Sequence, residues 1–331
     1  MNVRVSVPSF GGPEVLRVDD LPPTVPRKRT VRVRVTHASV GSTDALARKG
    51  AYLLQPFTGF TPGYDFVGVI ESSNHLSETQ TWDRGTRVAG CLPRMGSNTT
   101  FIDVHPTLVI RIPDSIPSPI AAAFPLDLLT AGLATSLAGA LPNPSVLVQG
   151  VSGPVGTLIA QHYLARGVTV LGTASERTRR FAEEHGVHVL DYRDPDWLQQ
   201  VRSARPDGLG AIFDHTGSRT IRGAAARGGT VVRTAFVGRP GHERFDTMLG
   251  GGRSVTGYFS RPRERVCSVP LLISTQRTRY RELLAAQFDR IMTGELRAPS
   301  VRLLPIHDVA RAHHELEALD AGEKVVLTFD G

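Results

Sequence analysis

SVLVQGVSGPVGTLIAQHYLARGVTVLGTASERTRR, residues 145–180, is the stretch that decides the fold. An apolar strand ends at Gln149. A turn with glycines at Gly150, Gly153 and Gly156 follows, and a helix opens at once. Glycine permits a tight turn and lets backbone N–H groups approach a pyrophosphate, while the helix N-terminus adds the positive end of its dipole. A lone glycine triplet says little; set between strand, helix and strand, it is specific for a dinucleotide. Gly150, Ser152, Gly153, Pro154, Val155 and Gly156 are therefore the candidate phosphate-contacting residues.

The end of the next strand bears on which dinucleotide is bound. NAD-binding chains usually place an Asp or Glu there to accept the ribose hydroxyls. Here the run is Thr173–Ala174–Ser175–Glu176–Arg177, with Arg179 and Arg180 close behind. A hydroxyl and guanidinium groups suit a 2′-phosphate, so Ser175, Arg177 and Arg180 point to NADPH. Glu176 alone speaks for NAD. The three arginines point in different directions around a helix, so some of them belong to a solvated surface.

Outward from this unit, strands and helices alternate from 145 to about 258, as in a parallel sheet covered on both faces. The first ~115 residues read as β, with VRVRVT (31–36) strictly alternating and FVGVIE (66–71) and TRVAG (86–90) as further short strands. Residues 120–140 are apolar and helical in pattern, and Pro125 should break or kink that run. The tail predicts a helix around 279–293, a strand around 300–304, a helix around 307–320 and a strand over 324–329. Pattern alone leaves open whether the tail extends the parallel sheet or returns to the first domain.

The chain has 331 residues, a length that favours two domains. Its 40% hydrophobic and 21% charged residues suit a globular protein. No apolar run approaches the roughly 20 residues that span a bilayer, and MNVRVSVPSFGGPEV lacks a signal-peptide core, so the cytoplasm is expected. Two distant cysteines, Cys91 and Cys267, form neither a disulfide framework nor a C-x-x-C zinc site. The net charge of +7 is almost all arginine, with lysine only at Lys28, Lys49 and Lys324. No long basic run interleaved with aromatics appears, which argues against a dedicated nucleic-acid surface.

With these features in place, the sequence resembles the zinc-independent, quinone oxidoreductase-like and enoyl reductase branch of the medium-chain dehydrogenase/reductase superfamily. FGGPEVLRVDDLP (10–22), TPGYDFVGVI (61–70), AAAFPLDLLTAGLAT (121–135), VSGPVG (151–156), GYFSRP (257–262) and the segment 294–327 are similar to family segments, in the family's order. The resemblance implies an α/β architecture. A GroES-like β domain spans 1–120, completed by 262–331, and a Rossmann doubly wound domain spans 121–261, with the active site in the cleft and a homodimer as the assembly.

Zinc relatives carry a Cys three residues before an Asp or Asn, and a His in a PG-H-E segment. The matching positions here are Gly41, before Asp44, and Tyr64, in Pro62–Gly63–Tyr64–Asp65; neither residue type replaces a thiolate or imidazole ligand. No metal is expected. Without a Lewis acid, hydride delivery to an enone, an enoyl thioester or a quinone is the easier chemistry, because the charge spreads onto an oxygen that hydrogen-bond donors stabilise. The resemblance implies Tyr52 as donor or proton source, Tyr64 and Ser42 in the cleft, and Thr130 at the nicotinamide. It also implies Tyr192 beside the adenosine phosphate and Arg261 near the cleft. Relatives often have Asn where Gly41 stands, which points to an unusual substrate, a roomier pocket or weak turnover. The expected function is an NADPH-dependent reductase of a free or carrier-bound acceptor. A nucleotide-binding family member with a non-redox role, such as metabolite cyclisation, is the alternative.

Overall fold

The computed structural model describes residues 2–74, 82–236, 245–250, 257 and 262–329. Chain order begins with β1 (Val3–Ser6) and β2 (Arg17–Asp20), which pair with each other. Next come β3 (Val31–Val40), β4 (Asp65–Ser73), β5 (Arg87–Cys91), β6 (Phe101–Val104) and β7 (Val109–Arg111). The alternation in VRVRVT places Val31, Val33 and Val35 in the core.

The second half contributes β8 (Ser145–Gln149), β9 (Thr169–Ala174), β10 (His188–Asp191), β11 (Leu209–Asp214), β12 (Ala225–Arg233) and β13 (Arg263–Val266). They form one wholly parallel sheet in the order β10-β9-β8-β11-β12-β13. β8 and β11 are buried along most of their length, which is why they read as apolar runs rather than alternating ones. The order reverses between β8 and β11, and the crevice at such a switch point is where open α/β sheets bind ligands. β13 lies in this sheet, paired with β12, although the sequence division ends the nucleotide domain at 261. Its four residues, RERV, carry too little apolar pattern to be read as a strand.

The tail supplies β14 (Ser300–Pro305) and β15 (Glu323–Thr328). β15 pairs antiparallel with β3, giving a mixed sheet in the order β14-β15-β3-β4-β5-β7 with β6 on β3. The tail thus returns to the first sheet. Between the two sheets run helices Ser118–Ala122 and Pro125–Ala138, separated at Phe124. Pro125 starts the second helix, where its missing N–H costs nothing, so the expected break is real. Helix Arg277–Met292 packs on helix Pro125–Ala138 at Gly132, where a Cβ would come within 2.8 Å of Gln287. Among the described residues no helix is long and apolar enough to cross a membrane.

Candidate nucleotide cleft and tyrosine pair

The loop after β8 is built by close approaches. Gly150 adopts φ +64, and a Cβ there would meet the His215 ring at 2.9 Å. Its N–H donates to Thr173 Oγ1 (3.2 Å), and that of Val151 donates to Thr173 O (3.0 Å). The three glycines are not equivalent. A Cβ on Gly156 would lie well inside contact distance of Gly150 O and 2.8 Å from Val151 Cα. At Gly153, an extended N-cap residue, the corresponding approach is an easier 3.3 Å. No side chain caps helix Pro154–Leu164, so the first-turn N–H groups of Val155 and Gly156 have no intrahelical acceptor and face the loop mouth with the positive dipole end. Buried Ser152 donates to Thr178 O (2.9 Å) and staples the loop to the next helix.

At the end of β9, Ser175 sits at the N-cap of helix Glu176–Glu184, and its hydroxyl meets Thr178 Oγ1 at 3.0 Å. Thr178 was not singled out from the sequence; a hydroxyl one helical turn after an N-cap serine is the signal that marks it. Arg177 reaches away, to Leu319 O (2.9 Å) and Asp320 Oδ1 (3.1 Å). Arg180 pairs with Glu184 along the exposed helix face, and Arg179 with Glu183. The structure therefore leaves Ser175 at the strand end and draws both candidate arginines to other partners. Tyr192 is half-exposed, with the Arg193 guanidinium 5.7 Å from its ring centroid. Arg261 and most of GYFSRP lie outside the described residues.

A charged network closes the strand ends beyond β8. Buried Arg233 contacts the Asp214 carboxylate and Ser218 O (2.9 Å), and bonds both Glu264 oxygens, at 3.1 and 3.3 Å. Asp214 also accepts from the N–H groups of Thr216 (3.0 Å) and Gly217 (2.9 Å), so the network shapes the loop that carries His215 to Gly150.

In the first sheet, Asp44 is a clamp. Its carboxylate accepts from Gly41 N (2.9 Å) and Gly63 N (2.8 Å), tying the end of β3 to the Pro62–Gly63–Tyr64 turn. Tyr52 and Tyr64 stand edge to face, 6.5 Å between centroids, with their hydroxyls 3.1 Å apart. Burial pushes both phenols above their ordinary value, so both keep their protons at neutral pH. Ser42 is exposed in the first turn of helix Ser42–Arg48. Thr130 is part-buried and donates to Leu126 O (2.7 Å), while Cys267 approaches Thr130 O at 3.5 Å.

Behind the tyrosines lies a buried carboxylate cluster that sequence reading missed. Asp65 accepts from Leu126 N (2.8 Å) and Ser39 Oγ (3.0 Å). Lys324, on β15, bonds Asp127 at 2.8 Å. Burial opposes the Lys324 charge, but Asp127, Asp65 and Asp44 together hold its pKa above the usual lysine value. Burial pushes Asp65 up to about 8 and Asp44 up to about 6.

The Asp65 shift sets a pH dependence. Unfolded, Asp65 ionises near the ordinary aspartate value of about 3.9; folded, it keeps its proton to about 8. The folded chain binds more protons across that window, so stability falls as pH rises through it. His313 and His162, held down by burial to about 3 and about 4, have the opposite effect, but only below the ordinary histidine value of about 6.5. We expect the melting temperature to fall between roughly pH 6.5 and 8. Asp65→Asn, whose amide oxygen accepts from Leu126 N while its NH₂ donates to Ser39 Oγ, should flatten that slope; an equal slope in the variant would contradict the assignment.

Residues 27–113 match the alcohol dehydrogenase GroES-like domain family, and residues 154–272 match the family described as zinc-binding dehydrogenase. Quinone oxidoreductase of Sus scrofa is 25% identical over 321 residues, covering 94% of this chain and 93% of the relative. The JamJ enoyl reductase structure superposes with a TM-score of 0.84 at 20% identity, over 99% of both chains. A mycobacterial protein solved in complex with NADPH superposes with a TM-score of 0.78 at 24% identity, over 99% of this chain and all of that one. At these identities the two structures speak for the fold. Taken with the parallel sheet and its glycine loop, the matched families and the quinone oxidoreductase relatives place the chain in the medium-chain dehydrogenase/reductase superfamily, as an NAD(P)-dependent oxidoreductase similar to quinone oxidoreductases.

Proposed function

We propose that the protein is a zinc-independent, NADPH-dependent reductase of carbon–carbon double bonds conjugated to a carbonyl, or of quinones. The observation that carries this reading is the part-buried Tyr52–Tyr64 hydroxyl pair. The resemblance matches Tyr64 to the position of a zinc-ligating histidine, and its protonated hydroxyl is already engaged with Tyr52. With Gly41 at the matching cysteine position, this donor set does not fit zinc. It does fit the stabilisation of a developing oxyanion by neutral hydrogen-bond donors. The nicotinamide, once bound, supplies the hydride. Tyr52 then protonates the substrate or holds its oxygen, and Tyr64 fixes the Tyr52 hydroxyl.

For the cofactor, the uncapped helix at Gly153 and the cradle kept open by Gly156 suit a diphosphate. Ser175 and Thr178 offer hydroxyls to a 2′-phosphate. Arg177 and Arg180 can join them, because exposed ion pairs such as Arg177–Asp320 are worth only about 0–1 kcal/mol and exchange readily. The related fold solved with NADPH is consistent with that choice. Tyr192, Thr130 and Arg261 remain proposed cofactor neighbours. We assign 1–120 and the tail after β13 to the GroES-like domain, and 121–266 to the Rossmann domain. A homodimer remains the proposed assembly.

The test is NADPH oxidation followed by absorbance with a panel of enones, enoyl thioesters and quinones. Tyr52→Phe should lower kcat about 100-fold on the best acceptor, the lower end of general acid catalysis, with NADPH affinity kept. NADPH binding without oxidation by any acceptor would support the non-redox alternative instead.

A further inference from the structure

We infer that His215 is a cofactor-binding residue: its imidazole N–H donates to the diphosphate of the dinucleotide, at the phosphate on the nicotinamide side. The inference rests on the reading of the loop at 150–156 as a dinucleotide site, and it adds a side chain that lies outside the glycine pattern.

β11 runs parallel to β8 in the register Ala211↔Val146, Ile212↔Leu147 and Phe213↔Val148. Two residues on, the same register sets His215 level with Gly150, the first residue of the loop. The ring lies against that glycine: a Cβ on Gly150 would come 2.9 Å from its Cε1 and 3.4 Å from its Nδ1. The backbone that carries the ring is tied down on both sides. Thr216 Oγ1 lies 2.7 Å from Asp214 Oδ1 and 3.3 Å from Gln149 Oε1, and the N–H groups of Thr216 and Gly217 donate to the Asp214 carboxylate. The ring nitrogens take no part in this. Among the described residues neither has a hydrogen-bond partner. An apolar side chain would pack on Gly150 as well as the part-buried imidazole does, so its nitrogens are left for water or for a ligand.

The sheet order says which part of the ligand they meet. β9, followed by Ser175, lies on one side of β8, and β11 on the other. With the adenosine ribose at the end of β9 and the diphosphate at the helix after β8, the nicotinamide half must cross over β11. His215 stands at that crossing and meets the second phosphate. Charge agrees with this placement. The neighbouring Asp214 carboxylate would repel a diphosphate, but buried Arg233 holds it. The uncapped helix N-terminus and the imidazole N–H then present donors to the same anion.

The test compares NADPH with 2′,5′-ADP, which keeps the adenosine-side phosphate and lacks the second one. Dissociation constants of both are measured by calorimetry on the wild type, His215→Phe and His215→Gln. We expect His215→Phe, which keeps a ring on Gly150, to weaken NADPH at least tenfold, the lower end for a hydrogen bond to a charged group. The same variant should weaken 2′,5′-ADP less than twofold. His215→Gln, whose amide keeps an N–H donor, should hold NADPH within about threefold of the wild type. Retained 2′,5′-ADP affinity reports intact folding, and His215→Ala carries the comparison if the phenylalanine variant fails to fold. Unchanged NADPH affinity in His215→Phe, equal weakening of both ligands, or a loss in His215→Gln as large as in His215→Phe would overturn the inference and leave the dinucleotide reading standing. Failure of that reading shows separately, as a wild-type protein that binds neither ligand, and it overturns both.

Discussion

Replacing Lys324 by methionine is expected to destabilise the protein by about 3–5 kcal/mol, the usual cost of removing one partner of a buried ion pair. Lys324 has 6% side-chain exposure and Asp127 16%, with 2.8 Å between Nζ and Oδ2. The ammonium is the cation among Asp44, Asp65 and Asp127, whose fields raise its pKa. Without it, Asp127 must stay charged in a poorly solvated place or take up a proton. The loss acts beyond β15, because Asp127 stands in the first turn of helix Pro125–Ala138, whose Leu126 N–H is held by Asp65. That helix carries Thr130 toward the proposed nicotinamide site. The denaturation midpoint of Lys324→Met should drop accordingly, and Lys324→Met with Asp127→Leu should recover most of the loss, since the removal of both charges leaves none stranded. A loss under about 1 kcal/mol, the range of an exposed pair, would mean that water reaches the cluster.

Gly156→Val should weaken NADPH binding at least 100-fold, whereas Gly153→Ala should stay within tenfold. At 156 the obstacle is backbone: the added Cβ would press on Gly150 O and come within 2.8 Å of Val151 Cα. The loop must then move away from the helix N-terminus that would hold the diphosphate, and charge-assisted bonds to backbone N–H groups depend steeply on that geometry. At 153 the closest approach is 3.3 Å, which a small shift relieves. Fluorescence titration of both variants decides the point. Equal losses would show that the loop responds as a whole and that the Gly156 contact has no special weight.

Local signals were legible in the sequence; long-range pairings were not. The strand–glycine turn–helix unit at 145–164 is written in adjacent residues and formed as read. So did the break at Pro125. Pattern alone did not give the return of the tail, which only the family resemblance implied, because Val325↔Val40 pairing joins segments at opposite ends of the chain and periodicity holds no information about which strands meet. Asp65, Asp127 and Lys324 come from three such segments, so each alone reads as an ordinary charged residue. The partner of Arg177, Asp320, lies far along the chain, so the sequence around β9 gives no sign of that pair. A charged residue ending an otherwise buried strand, as Asp214 and Arg233 do, was a signal within reach, since an apolar strand rarely keeps a charge unless a neighbour pays for it.

The central claim is that the loop at 150–156 holds a phosphorylated nicotinamide dinucleotide. Titration of the wild-type protein with NADPH and with NADH, followed by nucleotide fluorescence, tests it most directly. The account predicts saturable binding of both, with NADPH at least tenfold tighter. No affinity for either nucleotide would contradict it, and tighter NADH would overturn the assignment of Ser175 and its neighbours to a 2′-phosphate.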